Sequence, residues 1–181
     1  MAWTTPRTWV TGETITTIIM NQHIRDNLIT LLTVPAAKMS RAAGVGQSIA
    51  NTGVEAVVTL DTSLIDTDGM VDIANNRLNI NTAGKYILGA YLCYASTADT
   101  TGYRACKIRH TRAATPNIIA EWRGITAAPG NSVARVCGTL YDCQVGDQLQ
   151  LIAAQTSGTG AVLTAIASYF LPQLYAFRVG T

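Results

Sequence analysis

Charged residues are scarce in this sequence of 181 residues, in which Lys and Arg number 13 and Asp and Glu number 11, together 13% of the chain. A typical globular domain carries roughly 25%. Hydrophobic residues make up 48%, whereas a disordered chain combines low hydrophobicity with high net charge. The formal charge of +2 also argues against nucleic-acid binding, because that function needs a clustered basic surface.

Long uninterrupted apolar runs are also missing. The stretch 148–176 contains no charged residue, but Thr, Ser, Gln, Gly and Pro interrupt it, and a membrane-spanning helix needs roughly 20 consecutive apolar residues. The first residues, MAWTTPR, lack the basic segment followed by an apolar segment that marks a secretory signal. The sequence therefore predicts neither membrane insertion nor a secretory signal.

Patterns typical of metal centres and catalytic sites are absent from the sequence. The cysteines at 93, 106, 137 and 143 form no CxxC pair, and neither His23 nor His110 lies in a GxSxG or HExxH motif. All four cysteines lie in or beside apolar, strand-like runs, so we expect buried reduced thiols. The sequence leaves three disulfide pairings open. We predict that the protein is not an enzyme.

The segment richest in carboxylates covers residues 61–72. Its Asp66-x-Asp68-Gly69 pattern matches part of a calcium-binding loop, but Met70 stands at position five, where that loop needs a ligand. A turn capped by Asp side chains is the simpler interpretation. Apart from the alternative of a weak calcium site near Asp66 and Asp68, the sequence predicts no cofactor.

The first ten residues are predicted to form an extended arm that holds two of the three tryptophans, Trp3 and Trp9. Pro6 disfavours a helix at the residue before it. Two large aromatic side chains need a surface to cover them. The sequence leaves two options open, since the arm either folds back onto its own chain or docks on another protein, where Trp is enriched among the residues that dominate binding. Trp3, Pro6 and Trp9 are therefore candidate anchor residues.

One amphipathic helix is predicted from about Thr16 to Leu32. A threonine caps its start, and Pro35 ends it. A helix of about four turns is marginal alone, so its apolar stripe must be covered. Packing on its own domain and a three-helix bundle with sister chains are both open. The stripe, which we also take as a candidate anchor, consists of Met20, Ile24, Leu28 and Leu31.

The rest of the chain contains many short apolar segments separated by turn residues, which is typical of an all-β sandwich or barrel. The predicted organisation is an arm and helix at 1–35, a linker rich in Ala, Gly and Ser at 36–53, and a β-domain at 54–181. The predicted strands are Glu55–Leu60, Arg77–Ile80, Gly84–Ala95, Tyr103–Thr111, Ile118–Trp122, Ser132–Tyr141, Gln148–Gln155, Ala161–Tyr169 and Leu174–Val179.

Two predicted strand segments, 149–154 and 161–171, are apolar or small at nearly every position. Strands of this kind are covered on both faces. A lone sandwich of this size should leave one face of each sheet solvated, so we interpret these segments as subunit contacts.

Five basic residues fall on or beside predicted strands. They define either a solvated edge or a patch for an anionic glycan or an acidic protein surface. The group comprises Arg104, Lys107, Arg109, Arg112 and Arg123.

Three motifs in the β-domain resemble the C1q/TNF-like jelly-roll family. Thr82–Ala90 (TAGKYILGA) is similar to its glycine-aromatic strand, and Leu140–Leu151 (LYDCQVGDQLQL) to its two strands joined by a Gly-Asp turn. Ser168–Leu174 (SYFLPQL) is similar to its closing segment, with Pro172 where the family favours Gly. This family forms compact homotrimers around a three-fold axis, so the resemblance implies a jelly-roll sandwich that assembles as a homotrimer. The residues expected in the core or at the trimer contact are Tyr86, Leu151, Tyr169, Phe170 and Leu174.

The N-terminal runs Trp3–Val10 and Met20–Leu28 (MNQHIRDNL) resemble the opening of small virion structural proteins of tailed bacteriophages. That resemblance implies a trimer on the virion exterior, assembled in the host cytoplasm and attached through its N-terminal arm. The leading hypothesis is a non-enzymatic capsid decoration protein or head fibre, whose partners are itself and capsid proteins. The alternative is a tail-tip or tail-fibre adhesin that contacts tail proteins and whose jelly-roll head binds a host receptor or surface glycan.

Overall fold

The computed structural model describes residues 4–5, 7–44, 46–95, 102–125, 133–157, 161–163 and 171–180; for Thr30, 133–135 and 161–163 it describes the backbone alone. Within these ranges the chain forms one helical segment followed by two antiparallel sheets. Four of the residues predicted as anchor or core, namely Trp3, Pro6, Tyr169 and Phe170, lie outside the described residues.

The predicted helix is confirmed, and it runs through three consecutive parts. These are α1 (Thr17–Met20), a π-helical segment (Asn21–Arg25) and α2 (Asp26–Leu32). The Thr16 side chain caps the start by accepting a hydrogen bond from the N–H of Ile19 at 3.3 Å. Pro35 follows the last turn, as expected for a helix that stops before a proline.

The first six strands contain two to five residues each, and most of the later strands contain eight or more. A short 3-10 helix (Ile73–Asn75) separates the fifth strand from the sixth. The strands are β1 (Ala36–Ser40), β2 (Gln47–Ile49), β3 (Ala56–Val57), β4 (Thr62–Asp66), β5 (Val71–Asp72), β6 (Arg77–Asn79), β7 (Gly84–Tyr94), β8 (Tyr103–Arg112), β9 (Thr115–Ile125), β10 (Val133–Cys143), β11 (Gln148–Gln155), β12 (Ala161–Leu163) and β13 (Gln173–Gly180).

Sheet 1 is built around β7. On one side β7 pairs with β10 along its whole length, from Gly84 opposite Cys143 to Tyr94 opposite Val133. On the other side it pairs with β13 and, at Tyr94, with β12. The sheet continues from β13 to β1 and β4, and from β12 to β2.

Sheet 2 is built around β11 and β8. Its order is β5-β6-β11-β8-β9, and β3 pairs with β11 further along the strand than β6 does. A turn at Gly146 precedes β11, and Gly146 has a φ of +90°, which glycine adopts at little cost. Its N–H donates a hydrogen bond to the carbonyl of Ile80 at 2.8 Å.

The core lies between the two sheets and is filled by alternate residues of each strand. On β7, for example, Tyr86, Leu88 and Leu92 are buried while Lys85 and Ile87 face outward. Three predicted core or trimer residues lie in this core, within a single chain: Tyr86, Leu151 and Leu174.

The predicted linker at 36–53 is wrong where β1 and β2 form. β1 lies between β13 and β4, with Ala37 and Met39 buried and Lys38 facing outward. Small residues made this alternation hard to recognise, because Ala and Ser carry little hydrophobic signal.

The interpretation of 149–154 as a subunit contact is also wrong. Leu149, Leu151 and Ala153 point into the core, and Ile152 and Ala154 on the opposite face are buried by the chain itself. β11 therefore needs no partner chain to cover it. The side chains of 161–171 lie outside the described residues, except Leu171.

Candidate functional site: two exposed apolar surfaces

The N-terminal arm lies against one side of the helix, and Asn27 holds it there. The Asn27 Oδ1 accepts a hydrogen bond from the Thr4 N–H at 3.0 Å, while its Nδ2 donates to the Thr4 carbonyl at 3.0 Å. The same Nδ2 also donates to the His23 carbonyl at 3.2 Å. Asn27 is buried as a result. The part of the arm that the structure describes thus folds back on its own helix.

Further along, the arm is stabilised by local contacts. The Arg7 guanidinium forms an ion pair with Glu13 and lies 5.6 Å from the centre of the Trp9 ring. The Trp9 side chain nevertheless stays half exposed. Trp9 therefore keeps apolar surface that a partner could cover.

The predicted helix stripe is exposed along its whole length. Met20, Ile24, Leu28 and Leu31 are between 40% and 60% accessible to solvent. The option that the helix packs this stripe on its own domain is therefore wrong. The arm contacts the helix at Asn27, three residues after Ile24 and four before Leu31, so it lies beside the stripe and leaves these side chains exposed.

A second exposed apolar surface covers the outward side of sheet 1. Strand register places Leu140, Ile87 and Phe177 side by side across β10, β7 and β13. Val136 and Tyr175 extend this row in the direction of the strands. We call this surface the sheet-1 outer face; its five side chains are between 37% and 61% accessible.

Two glycines make the middle of this face flat. Gly89 and Gly138 are directly opposite each other, and Tyr175 is the β13 partner of Gly89. The Tyr175 ring lies over Gly89 so closely that a Cβ atom there would overlap it. Beside the ring, a groove lined by Lys38, Ile65 and Phe177 continues towards β4.

The outward side of sheet 2 is polar by contrast. The Lys107 Nζ lies 2.9 Å from Glu55 and 3.6 Å from Glu121, and the Arg123 Nε lies 2.7 Å from Glu121. The Arg109 guanidinium donates to Gln150 at 2.6 Å. These charges compensate one another within the chain, so this side is suited to water.

The five basic residues singled out in the sequence do not form one patch. Arg104 is buried between the sheets, 5.4 Å from the Tyr94 ring centre, and donates to the carbonyl of Ala95. Arg112 binds Asp147 with two nitrogens, at 2.8 and 2.6 Å. The other three lie in the paired network on the outward side of sheet 2.

His110 and Asp147 form a histidine–carboxylate pair of the kind found in catalytic sites, but here the pair and its neighbours form a structural contact. His110 Nε2 lies 3.0 Å from Asp147, and both residues are buried, at 4% and 1% exposure. Burial alone would raise the pKa of Asp147, but hydrogen bonds from Arg112, the Gln144 N–H and His110 hold it at about 2. The ionised carboxylate thus ties β8 to the turn before β11.

The acidic segment forms capped turns. Both carboxylate oxygens of Asp66 accept backbone hydrogen bonds, from Met70 at 2.8 Å and Val71 at 3.2 Å. Asp72 accepts hydrogen bonds from Asn75 and Arg77. In the part of the chain that the structure describes, no group of three or more His, Cys, Asp or Glu side chains is placed to hold a metal ion.

Across the described ranges, no helix combines the length and the apolar character needed to cross a bilayer.

Comparisons with known proteins identify the fold. No family model matches the sequence, and no curated protein matches it. Solved structures do match this chain. One is the globular domain of zebrafish complement 1qA protein, which is 14% identical with a TM-score of 0.57. The match covers 80% of this chain and 97% of that chain. Murine APRIL at pH 5.0 is 9% identical with a TM-score of 0.57, over 80% and 99%. The chain therefore has a C1q/TNF-like jelly-roll fold, as the sequence motifs predicted.

The sheet-1 outer face was not predicted from the sequence. Its signal was present as period-two spacing, in Val136 and Leu140 on β10 and in Tyr175 and Phe177 on β13. The neighbouring inward residues Cys137, Leu174 and Ala176 are also apolar, which weakens the alternation between the two faces. Asn27 was missed because a single polar residue on a helix gives no pattern.

Proposed function

We propose that the chain is one protomer of a non-enzymatic homotrimer on the exterior of a tailed-bacteriophage particle. In this proposal the sheet-1 outer face forms the contact between protomers. The arm and the helix stripe attach the trimer to the capsid, where it acts as a decoration protein or head fibre.

The observation that carries the proposal is the row of Leu140, Ile87 and Phe177 across three paired strands. Scattered exposed apolar residues are ordinary, but a contiguous apolar patch on a sheet marks an interaction surface. Each square ångström of apolar surface withdrawn from water contributes about 25 cal/mol. Covering this face therefore favours association.

The outward sides of the two sheets differ in polarity, and this difference supports the sheet-1 outer face as the contact between protomers. The outward side of sheet 2 carries Glu121 and Arg123, whose desolvation in an interface would cost free energy. The sheet-1 outer face has apolar side chains and the flat glycine pair at its centre. The motifs that resemble the C1q/TNF-like family favour further copies of this chain as the occupant.

The attachment role rests on the N-terminal segment. The helix stripe is exposed, and the arm, which is bound at Asn27 beside the stripe, does not cover it. Trp9 adds a half-exposed aromatic ring. The sequence resemblance of Trp3–Val10 and Met20–Leu28 to virion proteins supports a phage particle as the partner.

The face is tested by charge substitution. Phe177→Lys and Leu140→Lys each place an ammonium group in the proposed contact, so we expect them to shift the protein from trimer towards monomer in light scattering. Val145→Lys is the matched control, because Val145 is at least as exposed as Phe177 and Leu140, lies in the turn before β11 and is outside the face. If the two face variants remain as trimeric as the control, another surface forms the contact.

The particle role is tested by cryo-electron microscopy of the virion. Density for this protein at repeated positions on the capsid is the expected result. Density at the tail alone would replace this proposal with the adhesin alternative, in which the jelly-roll head binds a host receptor. Absence of the protein from purified particles would overturn both.

A further inference from the structure

A pair of buried thiols bridges the two sheets of the sandwich. Cys106 lies on β8 in sheet 2, Cys137 lies on β10 in sheet 1, and both belong to the core between the sheets. Their Sγ atoms are 3.5 Å apart and share a hydrogen bond. All four cysteines of the chain are free thiols in this structure. Two sulfurs at this separation need only a small approach to reach the length of a disulfide bond, about 2.05 Å.

The two thiols differ in reactivity. The hydrogen bond between the two sulfurs lowers the pKa of Cys137, and the backbone of Trp122 adds to this effect. The same hydrogen bond, together with burial, raises the pKa of Cys106. Cys137 is also the more accessible of the two, at 7% against 0%. Cys137 is therefore the sulfur that a small oxidant meets first.

The other two cysteines have different surroundings. The Cys93 thiol donates to the Tyr94 carbonyl at 3.8 Å. Burial, and then the charge of Asp147, raise the pKa of Cys143 to about 12, which keeps that thiol protonated. Protonated thiols are poor nucleophiles.

We propose that Cys106 and Cys137 form an inter-sheet disulfide when the folded protein meets hydrogen peroxide. The Cys137 thiolate attacks one peroxide oxygen, the O–O bond breaks, and the other oxygen leaves as water with the thiol proton, which gives a sulfenic acid. As the Cys106 proton passes to the hydroxyl group of the sulfenic acid, the Cys106 sulfur attacks the adjacent Cys137 sulfur, the S–O bond breaks, and the hydroxyl group leaves as water. Two thiols are oxidised, and one peroxide is reduced to two waters.

The bond would fasten the β8–β9 hairpin of sheet 2 to β10 of sheet 1. It joins positions that are 31 residues apart. A crosslink that closes a loop of this size restricts the unfolded chain, and we expect the melting temperature of this chain to rise by about 7–15 °C. The bond forms within one chain, so it does not depend on the proposed homotrimer.

The experiment treats the full-length protein with hydrogen peroxide. The unreacted thiols are then blocked in denaturant and the peptides mapped by mass spectrometry. We expect two blocked thiols, at Cys93 and Cys143, a linked peptide pair containing Cys106 and Cys137, and the rise in melting temperature. Dithiothreitol should reverse all three changes.

Variants make the assignment specific. Cys106→Ala and Cys137→Ala should each abolish the rise in melting temperature on peroxide treatment. The matched controls Cys93→Ala and Cys143→Ala should keep that rise. The proposal would be overturned by any one of three results: four unreacted thiols, a disulfide that involves Cys93 or Cys143, or oxidation of Cys137 to an acid without a disulfide. These readings come from the unaltered protein, so they decide the question even if an alanine variant does not fold.

Discussion

Single buried polar groups stabilise the sandwich through hydrogen bonds to neighbouring segments. The Tyr86 ring is fully buried in the core, and its hydroxyl donates to the Thr82 carbonyl at 2.7 Å. Burial raises the pKa of this hydroxyl to about 12. At the end of β8, the Asp147 carboxylate accepts hydrogen bonds from Arg112 and from the Gln144 N–H. Both groups can be tested by single substitutions.

Tyr86→Ala should destabilise the fold by about 3–5 kcal/mol, because it removes a large aromatic side chain and leaves a cavity in the core. Tyr86→Phe should cost only about 0.5–1.5 kcal/mol, since it removes the hydrogen bond and keeps the ring. Urea unfolding measures both. Equal stability of the alanine variant and the unchanged protein would show that Tyr86 does not fill the core.

Acid should weaken the fold through Asp147. Its pKa of about 2 in the folded state lies below the ordinary value of 3.8, so its contribution is complete above pH 4 and is lost as the pH falls towards 2. The shift corresponds to about 2 kcal/mol. Unfolding in urea at pH 7, 4, 3 and 2 should therefore show that the stability gap between the unchanged protein and Asp147→Asn narrows as the pH falls.

Asp142→Asn is the control for this measurement, because Asp142 is an exposed carboxylate on the neighbouring strand. Its pH profile should match that of the unchanged protein. If Asp147→Asn keeps a constant gap at all four pH values, the ion pair with Arg112 does not stabilise the fold.

At the scale of elements, the sequence predicted what carries a strong periodic signal. The helix had a capping threonine, a four-residue stripe and Pro35, and it forms within one residue of the prediction. The long strands β7, β8 and β11 were predicted because they combine β-branched or aromatic residues with bounding turns. β1 was missed because it is composed largely of small residues. β4 was missed because it follows Asp61 and ends at Asp66, within an acidic segment that resembles a turn.

Of the two exposed apolar surfaces, only the helix stripe could be predicted from the sequence. The helix stripe follows from spacing alone, and its exposure agrees with its role as a candidate contact. The sheet-1 outer face depends on which strands are neighbours, because Leu140, Ile87 and Phe177 are far apart in the sequence and meet only through sheet register. No local pattern carries that information.

The arm should detach from the helix in Asn27→Ala. That variant loses both hydrogen bonds to Thr4, so trypsin cleavage after Arg7 should become roughly 10-fold faster. Gln22→Ala is the control, because Gln22 is exposed on the same helix and its removal should leave the rate unchanged. An equal rate in both variants would show that Asn27 does not hold the arm.

Removing residues 1–32 should leave a folded trimer that no longer attaches to the particle. The described strands all lie after this segment, the first beginning at Ala36, and the Pro35 carbonyl keeps its hydrogen bond from the Arg178 N–H at 2.9 Å. Circular dichroism and light scattering test the fold and the assembly. Co-sedimentation with particles that lack the protein tests attachment, and normal co-sedimentation of the truncated protein would show that the anchor lies elsewhere.

The whole molecule is an asymmetric sandwich. One outward side carries a network of compensated charges around Lys107 and Glu121, and the other carries the sheet-1 outer face. The helix stripe is a separate exposed apolar surface. This distribution gives the low charge content of the sequence a physical meaning. The charges that are present lie mainly where water remains, and one sheet has almost none in the middle of its outward side.

The most direct test of the homotrimer is the mass of the unaltered protein in solution. Multi-angle light scattering at micromolar concentration should give a mass of three chains, about 58 kDa from a chain mass of 19.2 kDa. A mass of one chain under the same conditions would contradict the account, because the sheet-1 outer face would then stay exposed to water without a partner.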